Sequence, residues 1–154
     1  MRSKKIFIAA LWLILAVVGS ARIEAFTEMR FNLTLAALVA LSFFLDVYEA
    51  LFVSIVAILL VNWLPAFTLE IALYPVMALS VVLVRRIFQL KLWLNAAVAA
   101  FLAIAIVSLF VAYGVTPTLH LRIIVDGLVG ALFAGILFTC MGWAYHEEQA
   151  RRRI

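Results

Sequence analysis

Apolar residues run along this chain in long blocks, and polar residues gather between them as short punctuation. The stretch 31–86 is apolar apart from two interruptions, Asp46-Val47-Tyr48-Glu49 and Asn62-Trp63-Leu64-Pro65, with Glu70 soon after, and it closes on Arg85 and Arg86. So many apolar residues with so few charges suit a hydrocarbon solvent better than a soluble core, and the interruptions then read as turns at the two faces of a bilayer. Carried along the chain, the pattern predicts an all-α, polytopic transmembrane helical bundle in one domain, with six spans at 6–21, 31–45, 51–67, 71–84, 92–115 and 121–145.

Each predicted span carries its own signal. The first pairs Arg2, Lys4 and Lys5 with an apolar run and resembles a signal peptide, down to Gly19-Ser20-Ala21 as a cleavage site; its length and the membranous segments that follow favour a retained helix. Residues 22–30 read as a mixed-charge connection in which Thr27 caps the next helix. The second span is short for a full crossing and is expected to stand upright, thin the membrane or lean on snorkelling residues such as Arg30. Pro75 predicts a kink in the fourth. Alanines at 96, 97, 99, 100, 103 and 105 place the fifth inside the bundle, and Gly127, Gly130, Ala131, Ala134 and Gly135 give the sixth a smooth face for close helix packing. Thr116-Pro117-Thr118 reads as a turn, and residues 146–154 as a polar tail.

Composition agrees with the pattern. Of 154 residues 69% are hydrophobic and 13% charged, against roughly half and a quarter in soluble domains. The net charge of +4 comes from basic groups beside apolar runs, where topology determinants belong, so it does not point to nucleic acid. Nine of the 12 Lys and Arg residues fall on one side of a six-span arrangement (Arg2, Lys4, Lys5, Arg85, Arg86, Lys91, Arg151, Arg152, Arg153) and only Arg22, Arg30 and Arg122 on the other, which predicts both termini in the cytoplasm. Tyr48, Trp93, Trp143 and Tyr145 then line the inner interface, and Trp63 and Tyr113 the outer. The single cysteine, Cys140, lies in the last apolar run and has no partner for an internal disulfide.

Few residues suggest chemistry. His120 and His146 are expected in connections on opposite sides, and the sequence has no nucleophile–base arrangement, metal-ligand cluster or phosphate-cradling loop, so neither an enzyme nor a cofactor is expected. Asp46 and Glu49, three apart, share a helical face or, more simply, sit in a solvated turn. Asp126 lies about one turn into the sixth span, where an ionisable group needs a partner, and Arg122 is the near candidate. Asn62 and Pro65 end the third span or shape a cavity. Arg85 and Arg86 mark topology and meet anionic lipid or an acidic partner.

The runs "FNLTLAALVALSFFLDVYEALFVSIVAILLVNWLPAF", "VVLVRRIF" and "IIVDGLVGALFAGILFTCMGWAY" together resemble the MreD family of bacterial rod shape-determining membrane proteins, over most of the chain beyond Phe31. Where family members often carry an acidic residue and a glycine-containing turn, this chain has Asn62-Trp63-Leu64-Pro65, which keeps polarity without charge. The resemblance implies a non-enzymatic adaptor in the cytoplasmic (inner) membrane, part of the elongation machinery that builds side-wall peptidoglycan, with MreC and, through it, the MreB filament, the RodA polymerase and a transpeptidase as partners. In that picture the small-residue faces of the fifth and sixth spans recruit partner helices. Two rivals share the pattern. One is the substrate-binding subunit of an energy-coupling vitamin transporter, with Asn32, Asn62, Glu70, Arg122 and Asp126 around a pocket. The other is a small proton-coupled transporter working through Asp126.

Overall fold

The computed structural model describes residues 2–27, 31–61, 69–85, 92–111 and 117–151. Among them are six helices and no strand: α1 (Arg2–Thr27), α2 (Leu33–Ser42), α3 (Val47–Val61), α4 (Leu69–Val84), α5 (Leu92–Val111) and α6 (Pro117–Arg151). Three contain segments long and apolar enough to cross a membrane, Ile6–Ala25, Trp93–Phe110 and Leu121–Trp143, while α2, α3 and α4 supply shorter apolar stretches. The regular structure of the described residues is thus all helical, and the apolar helices are those of a membrane protein.

The bundle is built around α2. Every residue from Leu33 to Ser42 is buried, and α2 touches all five other helices. A helix apolar on every side has no face to offer water and must be enclosed, and the small side chains of Ala36, Ala37 and Ala40 let neighbours approach from several directions. Around it, α3 lies against α4 and α5 against α6, with α1 resting on α2 and α3. Asn32 meets Tyr74 at one end of α2, and residues 42–45 meet Arg85 at the other, so α2 and α4 run in the same direction. Asn32 likewise meets Asp126, and Phe43 and Phe44 meet Phe138, which makes α6 parallel to them.

The outer helices turn apolar stripes away from the core at three- and four-residue spacing: Phe7, Leu11, Ile14 and Val18 on α1, Tyr48, Phe52, Ile55 and Leu59 on α3, and Leu121, Val125, Leu128, Leu132 and Ile136 on α6. Such a surface suits lipid. Side-chain hydroxyls on the helices are satisfied locally: Ser20, Ser42, Ser54, Ser80 and Thr139 each donate to the carbonyl four residues back, as a hydroxyl away from water must.

Several boundaries differ from the sequence reading. The expected connection after residue 21 is helical through Thr27, with Ile23 packed on the core and Glu24 half-buried, so Thr27 ends a helix and Asn32 caps the next one. The third helix begins at Val47 rather than 51, because Glu49 reaches back to the Asp46 backbone N–H at 3.1 Å and closes half of a capping box. Pro117 opens α6, where a missing N–H costs nothing, instead of sitting in a turn. That helix runs to Arg151, so His120 and His146 lie within it rather than in connections. α4 is helical through Pro75. The fifth helix is not the interior one: Ala96, Ala99, Ala100 and Ala103 face inward, while Leu102, Ile106, Leu109 and Phe110 are exposed on its far side.

Candidate functional site at the two ends of the buried helix

A helix ends with unbonded backbone N–H groups at one terminus and carbonyls at the other, and in a non-aqueous interior these need protein partners. In α2 they come from other helices. At the amino end the Asn32 side-chain oxygen accepts from the Leu35 N–H at 3.3 Å, a standard N-cap. The same oxygen accepts from the Tyr74 hydroxyl of α4 at 2.7 Å, and the Asn32 backbone N–H donates to Asp126 Oδ1 of α6 at 2.9 Å. One asparagine therefore gathers α2, α4 and α6 into a single polar knot.

At the carboxyl end, Nη1 of Arg85 donates to the carbonyl oxygens of Leu45 (2.8 Å), Phe43 (3.1 Å) and Ser42 (3.3 Å). That nitrogen has two protons, so three acceptors share them as bifurcated bonds. A guanidinium suits this place because its planar fork spreads over several carbonyls and its charge opposes the negative end of the helix macrodipole. The carboxylate of Asp126 stands at the opposite terminus, where the dipole is positive. Both ends of α2 thus carry the charge that its dipole favours.

Other residues singled out by sequence fall as follows. Asp46 is exposed, as expected of a turn, but Glu49 is 8% exposed and belongs to the buried first turn of α3, which corrects its placement in solvent. Asp126 bonds a backbone 94 residues away, a long-range partner that the four-residue spacing to the exposed Arg122 does not suggest. Arg85 serves α2 from within the bundle, beyond any role as a topology mark. The faces expected to take up partner helices are occupied within the chain. A Cβ on Gly127 would stand 2.8 Å from the Phe101 ring, one on Gly130 would overlap the Ile104 side chain and lie 3.5 Å from Ala36, and Ala134 is fully buried. Asn62, Pro65 and Arg86 lie outside the described residues.

Sequence reasoning missed Tyr74 and Asn95. Tyr74, beside Pro75 in an apolar run, gives no local sign of its bond to Asn32. Asn95 is 1% exposed on α5, a buried amide that reads in sequence as part of an interfacial start. Asn32 did carry a signal, since an asparagine directly before an apolar helical run is an N-cap signature.

Tyr48, Trp93 and Trp143 are exposed. Chemically the two ends offer hydrogen-bond donors and acceptors already engaged in joining helices. Among the described residues no three His, Cys, Asp or Glu side chains gather within reach of one metal ion. Comparison with protein-family models, with curated proteins and with solved structures finds no match to this chain.

Proposed function

We propose that the chain is a non-enzymatic scaffold subunit of the bacterial cell-elongation machinery, an MreD-like adaptor in the inner membrane. The observation that carries this reading is the use made of polarity inside the bundle. Asn32 caps α2, and Tyr74, Asp126 and Arg85 reach the two ends of that helix from α4 and α6. Groups spent in this way stiffen a bundle and leave its apolar exterior as the working surface. The resemblance of residues 31–86 and 123–145 to the MreD family supplies the biological setting.

Six crossings with both termini in the cytoplasm complete the proposal. The nine-to-three distribution of basic residues supports it, as does the shared direction of α2, α4 and α6. Partner helices, that of MreC first, meet the outward stripes of the bundle, because the glycine and alanine faces of α5 and α6 are filled from within. MreB, RodA and the transpeptidase are reached through that complex, and the basic cytoplasmic ends meet acidic surfaces or anionic lipid.

Affinity purification of the tagged protein from its own membrane in mild detergent, with co-purifying chains identified by mass spectrometry, tests the reading. Recovery of MreC, RodA or the transpeptidase is the expected result. Failure to form a complex with the transmembrane segment of MreC overturns it, and recovery of a second membrane subunit with paired ATPases would make the chain the substrate-binding subunit of a vitamin transporter.

A further inference from the structure

The ten residues of α2 rise only about 15 Å, half of the roughly 30 Å that a span must cover. Its burial therefore cannot come from spanning the membrane on its own hydrophobicity. The groups that hold it arrive later in the chain, and they come from two different helix pairs. Arg85 and Tyr74 belong to α4, which lies against α3; Asp126 belongs to α6, which lies against α5. Direct contact between these two pairs is mainly that of α4 with α5, whereas α2 touches all four of their helices.

We infer that α2 is a latched docking helix: the α3–α4 and α5–α6 pairs are held together by clamping its two ends, Arg85 at the carboxyl end and Asp126 at the amino end. The two clamps are coupled because they grip one rigid rod. Ten helical residues with intact backbone bonds move as a unit, so freeing either end loosens the whole helix and the seam between the pairs. Each pair keeps its own packing, and for α5–α6 that packing is visible at Gly130 against Ile104 and at Gly135 against Ala97. The device belongs to the fold and holds whether or not the scaffold reading does.

Reading each clamp at the far end of α2 tests this in the full-length protein in its membrane. In a Cys140→Ser background, Ser42→Cys and Thr34→Cys each place a thiol at a buried position near one end of α2, and labelling by a membrane-permeant maleimide reports release. Asp126→Leu combined with Tyr74→Phe, which removes both bonds to Asn32, is expected to speed labelling at position 42 at least tenfold, and Arg85→Met to do the same at position 34. Asp126→Asn, which keeps an acceptor oxygen, gives a smaller rise in the same direction and serves if the leucine variant does not assemble. The α5–α6 pair is monitored separately by the Ala97→Cys/Gly135→Cys pair, because a Cβ on Gly135 stands 3.9 Å from that of Ala97, within disulfide reach. Its oxidation yield should be unchanged by either clamp variant. Unaltered labelling at the far ends overturns the latch, and so does loss of the 97–135 disulfide together with protection at 42, which would mean that the bundle opens as one unit.

Discussion

Alanine at Gly130 would put its methyl group into the δ-methyl of Ile104, with the Ala36 Cβ 3.5 Å away on the other side. Ile104 and Ala36 are both fully buried, so relief requires the δ-methyl of the isoleucine to turn within the α2–α5–α6 contact. Overpacking of this kind costs about 1–3 kcal/mol. Alanine recovers roughly 1 kcal/mol over glycine inside a helix, which leaves a net loss of about 1 kcal/mol for Gly130→Ala. The cause can be isolated, because Ile104→Val removes the offending methyl and by itself costs about 0.5–1.5 kcal/mol. Reversible unfolding of the purified protein in mixed detergent would measure the double-mutant cycle. Gly130→Ala combined with Ile104→Val should be more stable than the sum of the two changes by about 1 kcal/mol or more. Gly135→Ala is the control: its nearest neighbours are the Trp93 ring at 3.8 Å and the Ala97 Cβ at 3.9 Å, ordinary contacts, so it should be neutral or stabilising. A coupling below about 0.3 kcal/mol, within the scatter of independent sites, would refute the account of close α2–α5–α6 packing.

Three other changes should be measurable in the same unfolding assay. Tyr74→Phe removes the hydroxyl that donates to Asn32 and should cost about 1 kcal/mol; no loss would mean that the knot at this end does not bear on stability. Arg85→Met leaves the carbonyls of Ser42, Phe43 and Leu45 without their donor and should cost roughly 2–3 kcal/mol, in the range of charged hydrogen bonds. Lysine at position 85 should recover only part of this, since its ammonium lacks the planar fork. Glu49→Gln keeps an oxygen for the Asp46 N–H and should stay within about 0.5 kcal/mol of the parent, whereas Glu49→Ala should lose about 1 kcal/mol as a broken cap does; equal effects would remove the capping role.

Much of the architecture was legible because a bilayer demands long apolar runs and leaves polar residues to mark their ends. All six predicted segments correspond to helices, and the small-residue faces on α5 and α6 do pack closely. Errors clustered where a polar residue was assumed to stop a helix. Arg22, Glu24, Glu49 and residues 146–151 are all helical, since a charged side chain can project from a helix as readily as from a turn, and capping decides where the helix begins. The candidate site was legible only in fragments. Asp126 stood out because a carboxylate in an apolar run needs a partner, and Arg85 because of its charge, but the partner of each is a backbone group. Every residue has such groups, so sequence carries no mark of which are used.

The sequence by itself determined the solvent this chain folds in, the number of helices and the small faces on which they approach, because these follow from residue composition and from periodicity along one segment. Only the tertiary structure decided which helix lies at the centre. The alanine-rich fifth helix appeared the best candidate, yet α2 holds that place. Enclosure depends on how six helices divide their faces among one another, and on groups 40 to 94 residues away that close the ends of the shortest one.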